Sequence, residues 1–216
     1  MVQPKSEQLL GDTSGWQLLM RPRLETGITL VEILIGLAVF GILMALGTPS
    51  FSRWIQSSQI RNSAEAIQNG LMLTRAEAVR RNSSVRFQLV TSVTNSCALS
   101  DAGRNWIISL NDPTGSCDSA PSDSVAPRII QTRTSGEGSP NAVINANGIS
   151  LITFNGTGQA NTAASIDITN PTGGNCSANE MRCLRVTVTT GGQIRMCDPA
   201  RVNPNPAHPN PDPQGC

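Results

Sequence analysis

The chain has 216 residues and a formal net charge of +1, and hydrophobic residues make up 38% of the sequence. This length accommodates one ordinary domain plus an extended element. A charge this close to zero argues against a protein that holds nucleic acid by bulk electrostatic attraction. The apolar residues are concentrated in one segment, so the remainder is polar and rich in Ser, Thr, Asn, Gly and Pro.

A polar leader precedes an apolar run that is long enough to cross a membrane. The leader, residues 1–27, carries Arg21 and Arg23 near its end, and fifteen of the next twenty residues, Ile28 to Gly47, are apolar. Twenty helical residues cover about 30 Å, the thickness of the hydrocarbon core of a bilayer. The two arginines place the start of the run in the cytoplasm by the positive-inside rule. We therefore predict a membrane-spanning segment over residues 28–48.

Glu32 distinguishes this run from two simpler alternatives, a cleaved signal peptide ending near Gly47 and a plain membrane anchor. A charge at the centre of a membrane helix costs roughly 2.5–3.5 kcal/mol, so such residues usually have a function. A cut after Gly27 would create an α-amino group on Ile28 one helical turn from Glu32, where the helix terminus also favours negative charge. In a filament the same carboxylate can pair with the terminal amine of a neighbouring subunit.

Helical periodicity continues beyond Pro49, which a signal peptide does not predict. Apolar residues recur at spacings of four, three, four and seven: Ile60, Ala64, Ile67, Leu71 and Ala78. We predict one long helix over residues 28–82, apolar all round in its first half and amphipathic in its second half. Pro49, together with the nearby glycines, predicts a kink.

All six cysteines lie beyond the apolar run: Cys97, Cys117, Cys176, Cys183, Cys197 and Cys216. An even number confined to the exported part predicts disulfides formed in an oxidising compartment. A zinc site is disfavoured because the sequence has no C-x-x-C motif and His208 is its only histidine. We predict sequential pairing, 97–117, 176–183 and 197–216, which closes short local loops.

Residues 83–216 show short alternating segments between Gly, Pro, Asn and Ser loops, which predicts a β-rich head. The predicted strands are Val85–Val90, Trp106–Leu110, Arg128–Thr132, Leu151–Phe154, Ile166–Thr169, Leu184–Thr189 and Gln193–Cys197. The last two form a hairpin through Gly191 and Gly192. The proline-rich tail Asp198–Cys216 is predicted to be a loop that Cys216 ties back.

No catalytic, metal or cofactor site is predicted. The glycine-rich stretch Asn155–Gly158 lacks the lysine of a phosphate loop and reads as a turn. His208 has no partner nearby for metal binding or nucleophilic catalysis, and the carboxylates are scattered singly. We therefore do not expect an enzyme.

The stretch Gly27-Ile-Thr-Leu-Val-Glu32-Ile-Leu-Ile-Gly-Leu resembles the class III signal of type IV pilins and pseudopilins. The resemblance implies that a prepilin peptidase cuts between Gly27 and Ile28 and methylates the new amine of Ile28. It also implies that Glu32 serves filament assembly and that Pro49 is the helix kink of the family. Ile28 departs from the pattern, in which Phe is more frequent, and the leader is longer than in many major pilins.

The head resembles the GspH/FimT-type minor pilins, including FimU-like subunits. The matching stretches are Leu73–Asn82, Phe154–Gly158 and the final hairpin up to Asp198. The resemblance implies an α+β type IV pilin fold, a long amino-terminal helix packed on an antiparallel β-sheet head with disulfides. It implies a minor pilin that helps to initiate or cap a pilus and contacts other minor and major pilins. The chain would be a single-pass inner-membrane protein with a periplasmic head before it enters the pilus at the cell surface.

Two alternative functions stay open. A pseudopilin of a type II secretion machine has the same signal and a similar head. A FimT-like minor pilin would bind DNA during natural transformation through the arginines near the last hairpin: Arg182, Arg185, Arg195 and Arg201. The Gly-Arg-x-Arg motif of such relatives corresponds here to Gly192-Gln-Ile-Arg195, which lacks one arginine. A solvated sheet face with Glu180 and Asp198 as counter-charges is therefore favoured over DNA as a partner.

Overall fold

The computed structural model describes residues 27–135, 137–170, 176, 182–201 and 214–216, and it leaves the side chains of residues 46–50 and 53 undescribed. Residues 1–26 of the leader, with Arg21 and Arg23, lie outside the described residues. The chain divides into two compact units after Ala45. The described part of the first unit consists of residues 27–29 and the beginning of a helix, and the second unit contains the rest of that helix and all the described strands.

One helix, α1, spans Leu30–Arg81, close to the predicted range of 28–82. It ends because Asn82 adopts a left-handed conformation with a φ of 46°. The N–H of Asn82 donates to the carbonyl of Val79 at 3.2 Å, and the N–H of Ser83 donates to that of Ala78 at 3.1 Å. This is the Schellman arrangement that satisfies the last carbonyls of a helix. The helix continues without a break through Pro49, and the predicted kink stays a prediction.

In the part of the chain that the structure describes, eight strands form two antiparallel four-stranded sheets. They are β1 (Val85–Val90), β2 (Asn105–Ser109), β3 (Ile129–Arg133), β4 (Val143–Asn145), β5 (Leu151–Phe154), β6 (Ala164–Thr169), β7 (Leu184–Val188) and β8 (Ile194–Cys197). The first sheet has the order β3-β2-β1-β5 and the second the order β4-β6-β7-β8. The predicted α+β class, a helix with an antiparallel β-sheet head, is confirmed.

The strand predictions need several corrections. Strand β4 was missed because it is three residues long and only Ile144 in it is buried. The predicted strands Trp106–Leu110 and Arg128–Thr132 are each displaced by one residue, the second because Arg128 has a φ of 55° and cannot extend β3. Ile166–Thr169 was too short, since Ala164 and Ser165 also pair with β7. The hairpin strands Leu184–Thr189 and Gln193–Cys197 were each one residue too long at the turn, where the N–H of Thr189 donates to the carbonyl of Gln193.

The main core lies between the second half of α1 and residues from both sheets. Every residue of the predicted apolar helix face is at most 1% exposed: Ile60, Ala64, Ile67, Leu71 and Ala78. Phe87 and Trp106 pack with ring centroids 5.5 Å apart. Gly70 of the helix lies directly over them, because a Cβ there would come within 2.8 Å of the Phe87 ring. The absence of a side chain at Gly70 therefore allows this close packing.

A second, smaller core lies on the other face of the first sheet. Val90, Ile107 and Ile129 cluster there with Cys97 and Cys117. These two cysteines form a disulfide, and the other two disulfides join Cys176 to Cys183 and Cys197 to Cys216. This is the sequential pairing predicted from the sequence. The loop between β1 and β2 and the one that follows β2 are thus fastened over an apolar patch that the helix does not cover.

Candidate assembly site

The bond predicted to be cleaved lies just before the helix begins. Gly27 and Ile28 are outside regular secondary structure, and both are exposed. A side chain at Gly27 would meet nothing within 4 Å. Within the described residues, nothing in the chain itself therefore covers the Gly27–Ile28 peptide bond.

Thr29 caps the amino terminus of α1, a role that the sequence analysis missed. Its hydroxyl oxygen accepts the backbone N–H of Glu32 at 3.2 Å, and its carbonyl accepts the N–H groups of Glu32 and Ile33. Thr29 and Glu32 have the T-x-x-E spacing of a capping box, which was available in the sequence as a signal for the start of the helix. The cap places the carboxylate of Glu32 in the first turn, where the helix dipole favours a negative charge.

The rest of the described first unit presents apolar side chains in every direction. Twelve large hydrophobic residues there are more than half exposed: Ile28, Leu30, Val31, Ile33, Leu34, Ile35, Leu37, Val39, Phe40, Ile42, Leu43 and Met44. Exposed apolar surface of this extent marks a membrane or protein interaction surface. Glu32 is the only charged residue in this stretch of sequence.

Across the described residues, no helix was found to have the length and the apolar character that a membrane crossing requires.

Most of the arginines that were predicted as possible DNA contacts bind other groups within the head. Arg185 makes a bidentate ion pair with Asp167, with distances of 2.6 and 3.2 Å. Arg195 donates to the carbonyl of Gly215 at 2.6 Å, and Arg201 lies 3.7 Å from Asp198. Arg182 is exposed. DNA contact by these residues stays a prediction.

These contacts change the acidic partners that were predicted for the arginines. Asp198 is a partner, as predicted, and lies beside Arg201. The partner of Arg185 is instead Asp167, which lies directly opposite it on the neighbouring strand β6. Glu180 lies outside the described residues, as does His208. Arg195 instead holds the end of the tail, where the N–H of Asp198 donates to the carbonyl of Gln214 at 2.7 Å. The predicted return of Cys216 is confirmed.

The last hairpin is fastened to the helix through the glycine-rich turn. Arg75 donates to the carbonyl of Gly158 at 3.1 Å, and Gly158 and Gly192 both have positive φ angles. A Cβ on Gly192 would collide with the Gly158 carbonyl, so glycine is required for this close approach. Asn155–Gly158 is a turn, as predicted, since the N–H of Gly158 donates to the carbonyl of Asn155.

An open cleft of about 760 Å³ lies beside this junction. Its lining includes Met72 and Val79 of the helix, which are about half exposed, and Ile194 of β8. The cleft thus gives the head a partly apolar lateral surface. Among the described residues, no group of three or more His, Cys, Asp or Glu side chains is arranged to hold a metal ion.

An N-terminal methylation motif, an exposed apolar helix and a disulfide-stabilised β head together define a type IV pilin-like protein. Residues 63–192 match the family model described as type II transport protein GspH, and residues 22–48 match the prokaryotic N-terminal methylation motif. The chain belongs to the GspH family, because the first match covers more than half of it.

Two kinds of solved structure are similar to the chain. The type IV minor pilin FimU of Pseudomonas aeruginosa strain PAO1 is 13% identical, with 63% of this chain and 87% of that chain covered and a TM-score of 0.43. GspH of E. coli is 14% identical, with 70% of this chain and 95% of that chain covered and a TM-score of 0.39. No curated protein sequence matches the chain significantly.

Proposed function

We propose that this chain is a minor pilin that helps to initiate or cap a type IV pilus after prepilin peptidase cuts between Gly27 and Ile28. The placement of Glu32 carries the proposal. It is the single carboxylate of an apolar stretch that exposes its side chains on all sides, and it lies in the first turn of the helix. The role is structural rather than catalytic.

The assembly step follows from electrostatics and from the hydrophobic effect. Cleavage creates an amine on Ile28, and a carboxylate or amine that is left unpaired in an apolar bundle is far more costly than one in water. The carboxylate of one subunit then selects the register at which it meets the amine of its neighbour. Apolar contact between the helices supplies the adhesion, and the lateral surface beside Met72 and Val79 is available for neighbouring heads.

The test is incorporation of Glu32 variants into sheared pili. Glu32→Ala is expected to enter the membrane and to be processed, but to be lost from the pilus fraction. Glu32→Gln keeps a side chain that can accept a hydrogen bond at the helix cap but removes the charge, so it is expected to fail as well. Glu65→Ala is the matched control, because Glu65 is exposed on the same helix and its ion pair with Arg61 is long, at 3.7 Å. Normal incorporation of Glu32→Ala would refute the role of Glu32.

A pseudopilin of a type II secretion machine is the second candidate, and the description of the matching family favours it. The two functions differ in what a deletion strain loses. Loss of surface pili with normal secretion of extracellular enzymes supports the minor pilin. Loss of secretion with normal pili supports the pseudopilin.

A further inference from the structure

Two aromatic side chains of α1 lie in an exposed pair. Phe51 is 61% exposed and Trp54 is 67% exposed, and their rings stack with centroids 6.0 Å apart. The other described aromatic residues of the second unit, Phe87, Trp106 and Phe154, are buried in the main core. The pair is therefore not part of that core.

The head begins to cover the helix only after this pair. Ile60 is the first buried residue among the described side chains of α1. Just before it, the carbonyl of Gln59 accepts a hydrogen bond from the hydroxyl of Ser139 at 3.0 Å. Phe51 and Trp54 thus lie on a stretch of helix that follows the apolar run and that the described residues of the head do not cover.

The position of the pair matches the headgroup layer of a bilayer. The apolar run ends at Gly47, and Phe51 and Trp54 follow it by four and seven residues. At 1.5 Å per residue these offsets are about 6 and 10 Å. The polar layer on each side of the hydrocarbon core is roughly 5–7 Å thick, so the backbone of Phe51 falls within this layer and that of Trp54 just beyond it. Side chains of a helix point toward its amino terminus, so the indole of Trp54 lies closer to the membrane than its backbone does.

We propose that Phe51 and Trp54 anchor the helix in the lipid headgroup layer on the periplasmic side of the membrane and set its depth before assembly. The chemistry fits this partner, because an indole has an apolar body and a polar N–H, and such rings are enriched at membrane interfaces. This inference rests on the proposed function, in which the residues from Ile28 to Gly47 span the bilayer.

The test measures the depth of a single tryptophan in lipid. The full chain with Trp16→Phe and Trp106→Phe retains only Trp54, and it is reconstituted in phosphatidylcholine vesicles brominated near the top or near the end of the acyl chains. We expect shallow bromines to quench Trp54 at least two-fold more than deep ones. If Trp106→Phe disturbs the fold, the same comparison is made with Trp106 retained. Trp106 is buried, so it then adds only a constant, unquenched emission.

A matched variant separates failure of this inference from failure of the proposed function. Leu37→Trp in a chain without other tryptophans places the probe at the middle of the apolar run, where deep bromines should quench it more. Quenching of Leu37→Trp with no quenching of Trp54 would overturn the anchor while leaving the membrane span intact. It would leave neighbouring subunits as the partner of the pair. No quenching at either position would refute the span itself, and the anchor with it.

Discussion

The two halves of α1 have opposite relationships to the rest of the chain. In the described part of the first unit, the large apolar residues are more than half exposed on every side of the helix. In the second unit a single apolar face is buried in the core, and Arg61, Glu65 and Arg75 lie off it. The second half finds its apolar partners within the chain. No described residue covers the first half, so we expect its partners to be lipid or sister helices. One helix thus serves as both core element and assembly surface.

The largest expected difference in stability between the two halves of α1 comes from a Leu→Ala substitution made in each half. Leu71 is fully buried, whereas Leu37 is 62% exposed. Leu71→Ala is expected to lower the free energy of unfolding of the head by about 2–5 kcal/mol, because it leaves a cavity. Leu37→Ala should leave it unchanged. Denaturant unfolding of the detergent-solubilised chain with Trp16→Phe and Trp54→Phe, followed by Trp106 emission, measures both, and an equal loss for the two variants would refute the distinction.

A smaller effect is expected when a methyl group is added in each half. Gly70→Ala presses a Cβ against the Phe87 ring, and overpacking costs about 1–3 kcal/mol. The gain of about 1 kcal/mol from replacing glycine in a helix offsets part of this cost. We expect a net loss of about 1 kcal/mol in the unfolding free energy of the head. Gly41→Ala meets nothing within 4 Å and should cause no loss. Stabilisation by Gly70→Ala would show that the rings of Phe87 and Trp106 can move away from the added methyl group.

The smallest effect is a pH dependence at the end of the helix. The hydrogen bond from Arg80 lowers the pKa of Glu77, partial burial opposes this shift, and the hydrogen bond from Arg81 adds to it. The unfolded chain therefore binds a proton at Glu77 more readily than the folded chain does. The resulting stabilisation is complete above the ordinary Glu pKa of about 4.3 and is lost as the pH falls through the lower folded pKa.

Glu77→Gln should accordingly be less stable than the natural chain by about 0.5–1 kcal/mol at neutral pH. The difference should vanish under acid, since the protonated carboxyl no longer pairs with Arg80 and Arg81. Glu65→Gln is the control, because the Arg61–Glu65 pair is long and mostly exposed, and we expect no measurable change. A difference at Glu77 that persists at pH 2 would mean that charge is not its cause.

Periodicity along the chain predicted the helix, its buried face and most strands, because burial of one face imposes a local repeat. Contacts between residues far apart in sequence left no such pattern. The ion pair between Arg185 and Asp167 depends on the register of β6 and β7. The second core depends on a loop folding back over Val90 and Ile107. The cap at Thr29 was the exception, since its signal is local and was overlooked.

The identity of the mature amino terminus tests the central claim most directly. Mass spectrometry of the protein purified from membranes is expected to find a chain that begins at Ile28 with a methylated amine and retains all three disulfides. A chain that begins at Thr48 would identify an ordinary signal peptide, and a chain that still carries Met1 would identify an uncleaved anchor. Either result would contradict the pilin-like assembly function.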